Sequence, residues 1–205
     1  MAICLFCKLR PIKPSSDTQA SQHILPSCVT CTRHAITNTT QLDRVAVWVL
    51  QHIEKLGINF ERRTTQIRLL SDSVFVQRTG SAQISGLAIC HFSIDVLGLR
   101  KHNYAEVLIR YGVPVAHLIW ILSHELGHVI ASQNNYHFRD CAHEEAFCQL
   151  LAYLVIHNSH NPQSKEVIAQ EWHNPDPIYG EGLRQAYKEC NAIGITAYLQ
   201  SHKIR

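Results

Sequence analysis

Charge is scarce in this 205-residue chain: 17% of residues are Asp, Glu, Lys or Arg, and the net charge at neutral pH is +3. So small an excess, with no basic run beyond pairs such as Arg62-Arg63, leaves no electrostatic footprint for a nucleic-acid partner. Long apolar runs are missing too. The most apolar segment, Val113 to Leu122, is interrupted by Pro114 and His117 and is too short to cross a bilayer. The opening MAICLFCKLRPIKP lacks the charged start, apolar stretch and small-residue cleavage site of a secretory signal. Internal repeats and low-complexity tracts are absent as well. What is present is a globular composition, 46% hydrophobic, with enough residues for one sizeable core and a small appendage. The expectation is a soluble, cytoplasmic protein with no membrane and no nucleic-acid partner.

Eight cysteines would suggest disulfides in an oxidising compartment. Four of them, however, form two CxxC pairs, Cys4-x-x-Cys7 and Cys28-x-x-Cys31, separated by twenty residues. Inside a cell that spacing reads as four thiolates around one tetrahedral structural zinc. A closed metal site would hold together a segment too small to fold on its own core. His23 and His34 flank the second pair, and either could replace a cysteine. Cys90, Cys141, Cys148 and Cys190 are scattered and read as small buried apolar residues.

The chain divides into a four-cysteine module, residues 1–36, resembling a zinc ribbon, and a larger domain, residues 37–205. Leu42, Val45, Val49, Ile53 and Leu56 recur at helical spacing and end at Gly57, which predicts a helix over 41–56. Segments 66–70, 74–77, 84–94 and 105–111 are strand candidates and suggest a small antiparallel sheet. Helices are expected over 114–132, burying Leu118, Leu122, Leu126 and Val129, and over 140–157 with Asp140 as N-cap. Pro162, Pro175 and Pro177 break the next stretch, and helix returns from Glu181 with an interruption near Gly194. The fold class is α+β.

The first of the two central helices carries His124-Glu125-Leu126-Gly127-His128. Histidines four apart lie on one helix face, where both imidazoles can bind a single zinc. Glu125, roughly 100° further round, is left free to act as a general base toward water. About one chain in twenty of this composition would carry the motif by chance, so its setting matters. Here it sits in a strongly apolar helix, where an unpartnered carboxylate is costly. Gly127 weakens that helix by about 1 kcal/mol relative to alanine, which implies that something packs closely there.

A catalytic zinc needs a third protein ligand and an open position. The extended motif that would supply a third histidine is broken by Ala131 and Asn134. The following helix offers His143-Glu144-Glu145-Ala146-Phe147-Cys148-Gln149, and a glutamate there would complete a His₂Glu site. Glu145 is favoured over Glu144. It puts Gln149 one turn on, where the amide could orient His124 or His128. Tyr179 and His173 are candidates for stabilising an oxyanion, and strand 105–111 is a candidate edge for an extended substrate.

Taken together, Ala105–Pro114, the helix with HELGH, HEEAFCQLLAYL and the tail from Tyr179-Gly180-Glu181-Gly182-Leu183-Arg184 resemble the zinc peptidase domain of the plant LIM-domain peptidases that limit organ size. The likeness is most specific over 104–158 and 174–203 and thin over 1–36. It implies a gluzincin-like peptidase acting on protein substrates, with the metal pattern falling on His124, Glu125, His128 and Glu145. The chain has no complete LIM domain and no acidic ubiquitin-interacting helix, so ubiquitin-linked regulation is not carried over. The expected function is therefore zinc-dependent hydrolysis of peptide bonds in proteins. The alternative is a catalytically silent zinc-ribbon adaptor that binds a protein partner.

Overall fold

The computed structural model describes residues 3–12, 25–96 and 100–203. His23 lies outside them. Among the described residues the order is α1 (Val29–Arg33), α2 (Thr39–Lys55), a 3-10 turn (Arg62–Thr64), β1 (Thr65–Leu70), α3 (Asp72–Thr79), β2 (Gly86–Ile94), β3 (Arg100–Arg110), α4 (Val115–Gln133), α5 (Cys141–Ile156), α6 (Ser164–Trp172), a π-helical turn (Pro177–Glu181), α7 (Gly182–Ile193) and α8 (Ile195–Ser201). The α+β class expected from the sequence is what the chain adopts.

Most helix boundaries follow local chemistry. The Asn38 side chain accepts from Gln41 N and starts α2, and Asp140 accepts from His143 N and starts α5. These N-caps satisfy donors that the first turn leaves free. Gly194, at φ +81°, separates α7 from α8. Two segments depart from expectation. Residues 74–77 belong to helix α3, not to a strand. Asp72 opens it, Gly80 closes it in the left-handed conformation, and Phe75 is fully buried. Four residues of partial alternation are too few to outweigh those end signals. Between Pro162 and Glu181 the prolines flank ordered elements, α6 and the π-helical turn, instead of breaking up the stretch.

The sheet is mixed rather than antiparallel. Its order is β1-β3-β2, with β1 parallel to β3 from Thr65↔Ala105 to Leu70↔Arg110, and β2 antiparallel to β3 from Gly86↔Ile109 to Ile94↔Arg100. β3 is therefore central, and the expectation that 105–111 forms an edge is overturned. Val107 and Ile109 are fully buried there, and a strand flanked on both sides has no free ladder groups. The edge that lies against α4 belongs to β2.

α4 and α5 form the centre of the core. Leu118, Leu122, Leu126 and Val129 on α4, and Phe147, Cys148 and Leu150 on α5, are all fully buried. The two helices approach so closely at Gly127 that a Cβ there would lie 2.8 Å from Cys148 Sγ and 3.0 Å from its Cα. The close packing expected at this glycine is thus the α4–α5 crossing. Of the four scattered cysteines, Cys148 and Cys190 are buried, Cys90 is half-buried and Cys141 is exposed in the first turn of α5.

Arg110 fixes the entry to β2. It is buried, donates to Asp72 at 2.5 Å from Nε, and donates through Nη1 to Ala82 O at 2.8 Å. One guanidinium thereby joins the start of α3, the end of β3 and the loop that leads to the edge strand.

Candidate metal centres

The α4–α5 crossing brings together side chains that are seventeen or more residues apart in sequence. His124 Nε2 lies 3.2 Å from Glu145 Oε2, and His128 Nε2 lies 3.6 Å from Glu145 Oε1. The three donors form one of two clusters among the described residues able to hold a metal ion. Ligands about 2.0–2.1 Å from a tetrahedral ion stand about 3.3–3.4 Å apart, and the two observed spacings bracket that value. Glu145 Oε2 is buried and accepts no hydrogen bond, as expected of an oxygen reserved for something other than a proton donor.

The electrostatics agree with this arrangement. Burial raises the Glu145 carboxyl, but His124 and His128 outweigh it and hold it below the usual carboxylate range. Burial also acts on His128, yet Glu144, Glu125 and Glu145 together raise its ring above the ordinary histidine value. Glu144 is the residue that grips His128: its Oε1 lies 2.8 Å from Nδ1. A carboxylate on the far nitrogen fixes the tautomer and leaves Nε2 turned toward Glu145. Sequence reasoning gave that service to Gln149. The adjacent acid was the available signal, because Glu144 and Glu145 point about 100° apart and so can meet different atoms of one imidazole. Gln149 makes no hydrogen bond to either histidine. Its Oε1 is buried and unpartnered, as is His124 Nδ1.

Glu125 faces the β2 edge. The Ala88 backbone donates to its carboxylate, and at Gly86 a Cβ would lie 2.4 Å from Ile121 Cγ2 and 3.0 Å from Glu125 Cγ and Oε1. Only a residue without a side chain lets the strand come this near. Burial holds Glu125 above the normal carboxylate range, against the pull of His124, His128 and Ala88. Gly86 was missed from sequence, although an isolated glycine inside a strand is itself a sign of close approach.

Tyr179 also borders the cluster, its ring centroid 6.4 Å from that of His124. Asp176 Oδ1 accepts from Ile178 N at 2.8 Å and Tyr179 N at 3.0 Å, which sets the turn. Burial raises the Tyr179 hydroxyl, and Glu145, Asp176 and Glu125 raise it further, so it remains a donor at neutral pH. His173 is turned elsewhere, with Nδ1 on Ala169 O at 2.9 Å.

Cys4, Cys7, Cys28 and Cys31 form the second cluster, and all four are buried. Cys7 Sγ and Cys28 Sγ are 3.8 Å apart. That matches the edge of about 3.8 Å expected for sulfurs about 2.3 Å from one tetrahedral ion. Burial opposes ionisation of Cys28, but the Cys31 backbone N–H and the neighbouring thiols bring it down to about 7. Burial pushes Cys31 up. His34 is exposed and not part of the cluster.

Comparison with known proteins found no matching family model, no matching curated protein and no matching solved structure. No helix among the described residues is long and apolar enough to cross a membrane.

Proposed function

We propose that this chain is a zinc-dependent metallopeptidase of the gluzincin kind that hydrolyses peptide bonds in protein substrates, and that it is a compact relative of the plant LIM-domain peptidases. The observation that carries the reading is the convergence of His124, His128 and both oxygens of Glu145 at metal-ligand spacing, with Glu125 beside them on the β2 edge. Bound there, zinc would polarise the scissile carbonyl and lower the pKa of water towards about 7.

The remaining work falls to the protein. In this reading an extended substrate backbone lies along the outer side of β2 and carries the scissile bond past Glu125, a main-chain mode that would tolerate varied side chains. Glu125 takes a proton from the water that adds to the carbonyl carbon and returns it to the departing amine nitrogen as the C–N bond breaks. Its raised affinity for a proton suits both halves of that transfer. Tyr179 donates to the oxygen on which negative charge develops. Glu144 keeps His128 aimed. The four-cysteine site takes a structural zinc.

Glu125→Gln tests the reading. Both variant and parent should bind two zinc ions, and only the parent should cleave a proteome-derived peptide mixture, by at least about 10³-fold. Cleavage by the variant at the parent's rate would overturn the mechanism. Two zinc ions with no cleavage by either would favour the adaptor.

A further inference from the structure

We propose that Gln170 is a positioning residue that ties the four-cysteine site to the catalytic wall, so that the N-terminal module sets where Tyr179 stands. The kinetic consequence rests on the peptidase reading above; the coupling itself rests on geometry alone.

The module is already anchored without α6. Phe6 and Leu25 are buried in the common core. Residues 34–36 pair with 112–115 at the start of α4, through Ile36 N to Val113 O and Val115 N to His34 O, each 2.9 Å. Yet three polar side chains from α6 and its N-cap also reach the module. Gln163 Nε2 lies 4.0 Å from Cys31 Sγ, Glu166 accepts from Arg10 Nη2 at 3.0 Å, and Gln170 Nε2 donates to Cys7 O at 2.6 Å. Their spacing, i, i+3 and i+7, is one helical stripe. α6 thus turns Val167 to the core and a polar stripe to the module, and two of its three contacts fall on metal-ligating cysteines.

From the end of α6 the chain reaches Tyr179 through a series of fixed links. Arg184 Nη1 donates to Trp172 O at 2.6 Å and to Asn174 O at 3.3 Å, and Asn174 Oδ1 accepts from Asp176 N at 3.1 Å. Gly180 sits so close to Asn174 that a Cβ would fall 1.8 Å from its carbonyl oxygen. Asp176 then holds the Tyr179 backbone. Tyr179 lies nine positions after Gln170, and hydrogen bonds or close contacts fix the path between them. Glu171, beside Gln170, senses both ends: burial raises its carboxyl, while Lys8 of the module and His124 of the catalytic cluster pull it down. A displacement of α6 is therefore delivered to the phenol, and misplacing a reacting or stabilising group by about 1 Å can cost about 10²-fold in rate.

The test uses the zinc-loaded full chain and Gln170→Met, which keeps the side chain's volume and removes its donor. The variant should bind two zinc ions and melt close to the parent. Amide exchange over 174–181 should quicken by about tenfold while 115–133 is unchanged, and kcat should fall by about tenfold with KM nearly constant. Gln170→Lys, which can still donate to Cys7 O, should restore both. Unchanged exchange over 174–181, or equal loosening of 115–133, would overturn the proposal. If the parent cleaves nothing, the peptidase reading fails, and the exchange measurement still decides the coupling.

Discussion

Two glycines do at the residue scale what no side chain could. Gly127 admits α5 to α4, and Gly86 admits the edge of β2 to Glu125. Gly86→Ala forces a methyl group against Ile121 and Glu125, so the strand or the carboxylate must move. The expected cost is about 1–3 kcal/mol in stability and a loss of at least about tenfold in kcat/KM. Urea unfolding and steady-state kinetics would check the two numbers separately; activity equal to the parent's would mean that the β2 edge does not position Glu125. The paired acids show a division of labour at the same scale: Glu145 meets both Nε2 atoms, and Glu144 takes the far nitrogen of His128. Sequence spacing could favour one glutamate for the metal, but it could not say what the other would touch.

At the scale of elements, the start of α4 does two jobs. It begins the helix that carries the motif, and it receives the cysteine module. His117 mediates the second job. Its Nε2 is 3.0 Å from Phe6 O, and burial lowers its pKa to about 4 from an ordinary 6.5, against the opposing pull of Phe6 O, Glu166 and Gln170. The folded ring resists a proton that the unfolded chain accepts. Stability linked to His117 is therefore full above about pH 6.5 and is lost as pH falls toward 4, by about 2–3 kcal/mol at most. Unfolding free energies at pH 7 and pH 5 should show this fall in the parent and a smaller one in His117→Gln; identical slopes would remove His117 as the cause. Helices α2, α4 and α5 were legible because each has a long apolar period, and α2 and α5 also have a capping side chain; the short α1 and α6 were not. The helical state of 74–77 and the central position of strand 105–111 were not legible either. A four-residue pattern is weak locally, and whether a strand is central or at an edge depends on partners distant in sequence.

At the scale of the whole molecule, the proposed reading gives the two candidate metal clusters different tasks. A catalytic site keeps an open position, whereas a closed cysteine site holds its segment folded. On the proposed reading, a mild chelator should take one zinc from the zinc-loaded protein first, abolish cleavage and move the melting temperature by only a few degrees. A thiol-capping mercurial should then release the second and lower the melting transition by at least about 10 °C. A metal-binding dye and calorimetry would follow both steps, and release of both ions together would refute the division.

The identity of the candidate metal-holding residues and their local spacing were already written in the sequence. Histidines four apart on a helix and cysteines three apart on a turn are short-range geometry, set by the backbone within one turn. The α+β class was written there too, in the succession of apolar periods. Tertiary structure alone decided that Glu145 faces both histidines, that Glu144 holds His128, that β2 rather than β3 borders Glu125, and that α6 joins the cysteine module to Tyr179. Those contacts join residues far apart along the chain. Their energy depends on how whole elements cross, and a local pattern carries no record of the crossing.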